Sequence, residues 1–238
     1  MIGILSDIHG NLPALKAVLA AGRGLDCRRF ISLGDVVGYY AQPGECIDLL
    51  REHEVLNIMG NHDHYMVEGL ACPRSRMVSE IMTFQRCVVT PAQVAWLARS
   101  MPMLIEGDTH FVHGGAEDPL DQYLYRVNED SIPAQARRLF SGHTHVQVLA
   151  DFGAKQYCNP GSVGQPRDGD PRAAFAVLGD DEVTLHRVPY DIDETAAAMK
   201  AAGFPAHYSE CLYIGAQIGG RIDKVIIERN TGDHDGPN

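Results

Sequence analysis

The sequence has no Cys-x-x-Cys pair, no apolar run of membrane-spanning length, and fewer basic than acidic residues. Its six cysteines are scattered over 238 residues, which predicts reduced thiols rather than disulfides or a thiolate zinc site. A membrane span needs about 20 consecutive apolar residues, and no segment supplies them. The formal net charge of −11 argues against an extended nucleic-acid binding surface, because such a surface neutralises phosphates with lysine and arginine.

The first residues of the sequence do not have the pattern of a secretory leader, and we expect none. Met1 leads directly into the apolar run Ile2-Gly3-Ile4-Leu5, without the basic and apolar regions of a signal peptide. We therefore expect a cytoplasmic protein that does not bind membranes. The length and an apolar fraction of 45% are typical of one α/β domain, which we place at residues 1–228, followed by a polar, disordered tail at residues 229–238. The sequence does not predict an oligomeric state.

The first hundred residues alternate strand-like apolar runs with segments of helical spacing. In chain order, the predicted strands and helices are Ile2–Leu5, Leu12–Ala21, Phe30–Leu33, Pro43–Glu52 and Val55–Met59. Strand-helix-strand units of this length predict parallel strands joined by right-handed crossovers. Ligands of such sheets bind beyond the carboxyl ends of the strands.

The remainder is predicted to be helical up to residue 100 and then rich in strands. Strands are predicted at residues 103–106, 109–113, 146–152, 155–159, 173–178 and 183–188. A short helix is predicted to start at a cap formed by Asp130 or Ser131 and to end at Arg138. The fold class that follows is α/β (α+β), with two packed sheets flanked by helices.

Side chains that can bind metal lie next to glycine in five short segments. These segments are Asp7-Ile8-His9-Gly10-Asn11, Gly34-Asp35, Gly60-Asn61-His62-Asp63, His113-Gly114 and Gly142-His143-Thr144-His145. Every donor is an oxygen or an imidazole nitrogen, a set that suits Mn, Fe, Zn or Ni. Seven donors are too many for one tetrahedral ion but suit two ions that share a carboxylate. Two ions about 3.5–4 Å apart are the usual apparatus for in-line displacement at phosphorus.

Taken singly, the first two segments also have ordinary structural explanations. Asp7 and His9 are two residues apart, so an extended backbone would aim both side chains at one ion, although a helix-capping aspartate is the alternative. Asp35 could bridge both ions or serve as a turn residue. Asn11 could direct its amide at a phosphate oxygen.

The third segment predicts both a ligand and a proton donor. Asn61 is interpreted as a ligand of the second ion, because a neutral amide limits the charge of the site. His62 is placed to protonate the leaving oxygen, and Asp63 could orient its ring. A structural histidine is the alternative interpretation of His62.

In this order, the five segments resemble the ordered blocks of the calcineurin-like metallophosphoesterase superfamily, which are DxH, GDxx, GNH(D/E), a lone His and GHxH. The resemblance covers roughly residues 1–190. It implies an αββα sandwich of two mixed sheets and two divalent metal ions, with Mn expected and Fe, Zn or Ni as alternatives. It also implies that a hydroxide between the ions attacks phosphorus while His62 assists the leaving group.

The resemblance implies a role for each donor as well. One ion is bound by Asp7, His9 and His145, the other by Asn61, His113 and His143, and Asp35 bridges the two.

The second block departs from part of the superfamily. Protein serine/threonine phosphatases and symmetrical dinucleoside tetraphosphatases carry an acid-arginine pair shortly after the Gly-Asp, whereas here Asp35 is followed by Val-Val-Gly-Tyr-Tyr. Residues 159–167 instead resemble the small bacterial and archaeal phosphodiesterase-like group. Arg167 is therefore the candidate for the phosphate-binding arginine, and an arginine on an exposed turn is the alternative. Three tyrosines could line a leaving-group pocket or simply pack: Tyr39, Tyr123 and Tyr125.

The sequence thus predicts a dinuclear phosphodiesterase that acts on small phosphate esters, with phosphatase activity as a side reaction. The alternative is a scaffold of the same fold that binds a protein partner and has lost its chemistry. Such scaffolds tend to lose ligands, and here all seven donors and His62 are present. A dinuclear hydrolase of the metallo-β-lactamase type would need an HxHxDH motif, which the sequence lacks. The substrate itself is not identified.

Overall fold

The computed structural model describes residues 1–180 and 182–229. The helices in these ranges are α1 (Leu12–Gly24), α2 (Pro43–Glu52), α3 (Asn61–Glu68), α4 (Arg76–Val88), α5 (Pro91–Leu97) and α6 (Ile192–Ala201). The strands are β1 (Ile2–Leu5), β2 (Arg29–Ser32), β3 (Leu56–Asn57), β4 (Met103–Glu106), β5 (Thr109–Val112), β6 (Arg126–Val127), β7 (Arg138–Phe140), β8 (Gln147–Asp151), β9 (Gln156–Pro160), β10 (Ala173–Leu178), β11 (Val183–Val188) and β12 (Ile226–Ile227). Short 3-10 helices cover Glu129–Ser131, Ala206–Tyr208 and Glu210–Ile214. Residues 230–238, which make up nearly all of the predicted tail, lie outside the described ranges.

Two five-stranded sheets form the centre of the molecule. The first sheet has the order β11-β10-β1-β2-β3, with β1, β2 and β3 parallel and the other two strands antiparallel to their neighbours. The second has the order β4-β5-β7-β9-β8, with β5, β7 and β9 parallel and antiparallel strands at both edges. Both sheets are mixed, and the predicted αββα arrangement is confirmed.

The apolar core lies between the sheets and beneath the helices. Ile4 and Ile31 of the first sheet pack with Phe111 and Phe140 of the second, and the two phenylalanine rings stack with centroids 5.0 Å apart. Each fully buried side chain of this size contributes roughly 1.5–3 kcal/mol through the hydrophobic effect. The outer face of the first sheet is covered by apolar side chains of α1 to α4.

The outer face of the second sheet is covered mainly by residues 124–136, not by the predicted helix. Only the three residues of a 3-10 helix form there, and Asn128 caps it instead of Asp130 or Ser131. Pro133 stops the helix, because proline biases the preceding residue toward an extended conformation, as found for Ile132. Arg138 begins β7, which pairs with β5 and β9.

The parallel strands of both sheets end at one side of the sandwich. The loops that follow them are tied together by backbone hydrogen bonds: Asp7 N donates to Gly34 O at 3.0 Å, and Gly142 N to His113 O at 2.8 Å. Val163 N, which follows β9, donates to Ser6 O at 2.9 Å and so joins the two sheets. This side of the sandwich carries all five glycine-flanked segments.

Residues 190–229, here named the C-terminal segment, return along the same side of the molecule. Helix α6 packs on α1, and Tyr208 and Leu212 pack against Tyr40. Farther along, Asp223 N donates to Arg167 O at 2.7 Å, and β12 pairs with β6. Among the described helices, none has the length and apolar character needed to cross a membrane.

Candidate metal centre

The first group of donors combines side chains that follow β1 and β7. Asp7 Oδ1 lies 3.3 Å from His145 Nε2 and 3.8 Å from His9 Nε2, and the two Nε2 atoms are 3.1 Å apart. All three side chains are buried. We call them the first donor group.

The second group of donors combines side chains that follow β3, β5 and β7. His113 Nε2 lies 3.1 Å from Asn61 Oδ1 and 3.1 Å from His143 Nδ1. These three side chains are also buried. We call them the second donor group.

One carboxylate oxygen lies between the two groups. Asp35 Oδ2 is 3.8 Å from His9 Nε2 in the first group and 3.4 Å from His113 Nε2 in the second. The other oxygen, Oδ1, accepts a hydrogen bond from the His62 backbone N–H at 2.8 Å. The structure therefore brings all seven predicted donors together, with Asp35 in the shared position.

The donors fit two bound divalent ions. Ligands held about 2.0–2.2 Å from one ion lie about 3–3.5 Å from each other. The separations given for the two groups are 3.1 to 3.8 Å, which is close to that range. Asp7 Oδ1 is buried and has no hydrogen-bond partner among the described residues. An unpartnered buried carboxylate oxygen is costly, and a cation would remove that cost.

Three of the imidazole donors have their tautomer fixed by the backbone. Their Nδ1 atoms lie 2.7 to 2.9 Å from carbonyl oxygens, in the pairs His9 with Val37, His113 with Leu33, and His145 with Gln165. A carbonyl only accepts, so Nδ1 carries the proton and Nε2 presents its lone pair to the site. His143 is the exception, because it turns Nδ1 toward the other donors.

The backbone at the donors is strained. Five of the seven have positive φ, namely Asp7 (53°), His9 (54°), Asp35 (56°), His143 (65°) and His145 (60°). Non-glycine residues in this region cost on the order of 1–3 kcal/mol each, and such strain concentrates at functional sites. The expectation that an extended segment aims Asp7 and His9 at one ion is wrong in its geometry, although both side chains do reach the same group.

Glycine is needed beside the donors because other groups approach its Cα closely. A Cβ on Gly60 would lie 2.1 Å from Asp35 Oδ1, and one on Gly142 would lie 2.0 Å from Ser6 Oγ. Any larger residue would displace the carboxylate or the loop.

Protons compete with metal for these donors. Burial raises the pKa of Asp7 to about 6. Burial alone would lower the pKa of His113, but the neighbouring carboxylates, Asp35 foremost, bring it to about 9. Burial lowers the pKa of His143 to about 4 and holds those of His9 and His145 well below the usual range, so these rings are neutral near pH 7.

We expect the affinity for Mn²⁺ to rise with pH. Between pH 7 and 9 the proton of His113 must leave when an ion binds the second donor group, so the dissociation constant of that ion should fall about tenfold per pH unit. For an ion in the first donor group, the proton of Asp7 must leave only below about pH 6, so its affinity should fall only there. Titration calorimetry at several pH values measures this, and affinities that both stay unchanged from pH 7 to 9 would contradict it.

Comparison with known proteins places the chain in a family. The family described as the calcineurin-like phosphoesterase superfamily domain matches residues 1–182. The chain belongs to this superfamily. It is 29% identical over 238 residues to an uncharacterised protein of Methanocaldococcus jannaschii, covering 90% of this chain and 98% of that protein. It is 28% identical over 192 residues to the phosphodiesterase YfcE of Escherichia coli, covering 76% of this chain and 88% of that protein.

A solved structure supports the same placement. A metallophosphoesterase from Sphaerobacter thermophilus is 34% identical, with a TM-score of 0.77 and coverage of 90% of this chain and 99% of the other. The C-terminal segment lies beyond the residues that match the superfamily domain.

The imidazole of His62, the predicted proton donor, is held mainly by packing. Its Nε2 lies 3.9 Å from Asp35 Oδ2, and its buried Nδ1 has no hydrogen-bond partner among the described residues. The rings of Tyr39 and Tyr65 lie against it, with centroids 5.2 and 5.9 Å away. Gly38 leaves room for the ring, since a Cβ there would lie 2.4 Å from Nδ1.

Asp63 does not orient His62, and that prediction is wrong. Its Oδ1 accepts hydrogen bonds from Val36 N and Val37 N at 2.9 and 3.2 Å. Its Oδ2 accepts from Asn57 Nδ2 and Gly60 N, both at 3.3 Å. The carboxylate therefore holds the loop after β2, which carries Asp35.

Asn11 does not face the donors, and its predicted contact with substrate is wrong. Its Oδ1 caps α1 by accepting from Ala14 N at 3.3 Å and also accepts from Thr195 Oγ1 at 2.8 Å. Its Nδ2 donates to Gly164 O at 2.8 Å and to Tyr190 Oη at 3.2 Å. The buried amide is fully used in joining α1 to the C-terminal segment and to the loop after β9.

Arg167 lies at the edge of the first donor group. Its side chain is buried, so the alternative of an exposed turn residue is wrong. Nε and Nη2 donate to Gln165 Oε1 at 3.0 and 2.7 Å, and Nη2 also donates to Tyr39 Oη at 3.0 Å. After burial itself, the charge of Arg167 is the main cause that lowers the pKa of His145.

One residue near the second donor group, Asp121, was not anticipated, and it lies beside Tyr123, which the sequence analysis named. Asp121 Oδ1 lies 3.4 Å from His143 Nε2, and the ring of Tyr123 stacks on that of His143 with centroids 3.7 Å apart. Asp121 belongs to no motif, and it follows His113 only after an irregular loop, so the sequence offers no local signal for it.

Proposed function

We propose that this superfamily member is a dinuclear metal-dependent phosphodiesterase that hydrolyses small phosphate esters, with phosphomonoester hydrolysis as a side activity. The observation that supports this most directly is the position of Asp35 Oδ2, within 3.8 Å of imidazole donors in both groups. The identity with the E. coli phosphodiesterase favours diesters as the main substrates. The superfamily's metal chemistry and this donor set favour Mn²⁺, with Fe, Zn or Ni as alternatives.

Bound ions would supply a nucleophile from water at neutral pH and neutralise negative charge at phosphorus. The chain's own residues perform the remaining steps. The Arg167 guanidinium binds a non-bridging phosphate oxygen, and Tyr39 Oη and Gln165 hold it in place. His62 donates a proton to the leaving oxygen as the ester bond breaks.

The surroundings of His62 favour a neutral ring in the free protein and a protonated ring when substrate is bound. Burial lowers the pKa of this ring in the free protein. The negative charge of a bound phosphate ester acts in the opposite direction, because it stabilises the imidazolium. Substrate binding therefore favours the protonated form that the leaving group requires.

We expect metal-free protein to be inactive toward bis-p-nitrophenyl phosphate and to gain activity when Mn²⁺ is added. Elemental analysis should find two ions per chain, because seven buried donors form two groups. Parallel reconstitution with Fe, Zn and Ni ranks the metals by the activity that each restores toward bis-p-nitrophenyl phosphate. A protein that binds two ions but hydrolyses neither diesters nor monoesters would contradict the proposal and favour a scaffold that binds a protein partner.

A further inference from the structure

His143 differs from the other imidazole donors in what faces its second nitrogen. No backbone carbonyl holds Nε2, which is buried and makes no hydrogen bond to any described residue. Its recorded polar neighbour is Asp121 Oδ1, 3.4 Å away. With Nδ1 turned toward the donors, the proton of the neutral ring lies on Nε2 and points out of the site.

Asp121 is itself held in a fixed orientation. Arg74, which precedes α4, binds it with two parallel hydrogen bonds of 2.6 Å, one to each carboxylate oxygen. The backbone N–H of Asp121 donates to Asp118 Oδ1 at 3.1 Å, within the loop that begins at His113. The arginine side chain is 46% exposed, and exposed ion pairs contribute little to stability. The Arg74–Asp121 pair is better explained by the contact of the Asp121 carboxylate with His143 Nε2.

We propose that Asp121 is a positioning residue for the second donor group. Its Oδ1, 3.4 Å from His143 Nε2, is placed to accept a hydrogen bond from the Nε2–H. This contact fixes the tautomer that presents Nδ1 to the ion, and Arg74 holds the carboxylate in that position. Carboxylate–histidine–metal contacts of this kind change metal affinity about 10–100-fold. The inference rests on the proposed function, because it assumes that the second donor group binds a metal ion.

The effect should be confined to one of the two ions. In the first donor group, His9 and His145 have Nδ1 bound to backbone carbonyls, so their orientation does not depend on Asp121. His113 in the second group is held in the same way. Only His143 loses its outer contact when Asp121 is changed.

The test compares Mn²⁺ binding by the wild-type protein, Asp121→Ala, Asp121→Asn and Arg74→Ala, using titration calorimetry and elemental analysis after dialysis. Asp121→Ala should weaken one ion about 10–100-fold and leave the other unchanged. Asp121→Asn keeps an acceptor oxygen but not its charge, so it should lose less affinity for that ion than Asp121→Ala. The affinity of Arg74→Ala for the same ion should lie between those of the wild-type protein and Asp121→Ala.

Glu106→Ala is the matched control. Glu106 forms the same two-bond pair with Arg29, at 2.6 and 3.0 Å, and its exposure of 36% resembles the 29% of Asp121. Glu106 lies on β4, at the edge of the second sheet. The Glu106→Ala variant should bind both ions with the affinity of the wild-type protein. The melting temperatures of the metal-free variants show that each is folded.

The outcomes separate this inference from the proposed function. If Asp121→Ala binds both ions with wild-type affinity, or weakens both equally, the inference is wrong even when the wild-type enzyme hydrolyses diesters. If Asp121→Ala loses one ion selectively while the wild-type protein hydrolyses no phosphate ester, the inference stands and the proposed function fails. A wild-type protein that binds a single ion contradicts both.

Discussion

Replacing Asp35 with asparagine is expected to reduce kcat/KM for bis-p-nitrophenyl phosphate by about 10³-fold or more. Removing a single preorganised electrostatic group from an active site already costs about 10²–10³-fold, and Asp35 Oδ2 is shared by both donor groups. Asparagine keeps an oxygen that can accept from His62 N, so the local hydrogen bond survives while the charge is lost. Metal analysis of the same sample should show fewer than two ions per chain.

The folded state of Asp35→Asn should be intact, which makes the loss interpretable. The charge of Asp35 helps to raise the pKa of Asp7 and of Asp63, so its removal relieves repulsion among three buried carboxylates. The same change removes the main counter-charge of buried His113, which acts in the opposite direction on stability. The melting temperature of the metal-free variant therefore serves as the check that it is folded. Glu106→Gln serves as a control for a surface carboxylate. Wild-type activity in Asp35→Asn would overturn the shared-carboxylate interpretation.

The second large effect is expected for His62→Ala. For diesters with an alkyl leaving group, loss of the general acid should lower kcat by about 10²–10⁴-fold. For p-nitrophenyl esters the loss should be much smaller, because p-nitrophenolate leaves as a stable anion without a proton. Steady-state kinetics with both kinds of ester measure the difference.

The metal content of His62→Ala should remain at the wild-type value, since His62 belongs to neither donor group. His64→Ala is a matched control on α3, because His64 is only partly buried and lies outside both donor groups. An equal loss with both kinds of ester would show that His62 acts on binding or folding and not as a proton donor.

The candidate metal donors could be predicted from the sequence because each lies within three residues of a glycine, in a segment that follows a strand. That pattern depends on local chain geometry, and parallel strands bring their carboxyl ends together. The strain at Asp7 and His145 could not be predicted, since a positive φ at a non-glycine residue is imposed by the surrounding loops and not by its own preference.

The hydrogen bonds of Asp63 and Asn11, which lie outside both donor groups, were harder to predict, for two different reasons. Asp63 has a local signal for its structural role. It lies three residues after Gly60, at the position from which a side chain reaches back to the start of a helix, and it does so. Asn11 has a local sequence signal for only part of its role. Its capping of α1 is local, since asparagine is a preferred residue at the start of a helix, whereas its contacts with Gly164 and Thr195 involve residues more than 150 positions away.

The side chains of each donor group come from both sheets, and this has a consequence beyond catalysis. Asp7 and His9 follow a strand of the first sheet, whereas His145 follows a strand of the second, and the second donor group is divided in the same way. A bound ion would cross-link the two halves of the sandwich, and its binding free energy would add to the free energy of unfolding. Where metal is scarce, more of the chains would open and be degraded by proteases. Metal supply would then set how many molecules persist as well as how active each one is.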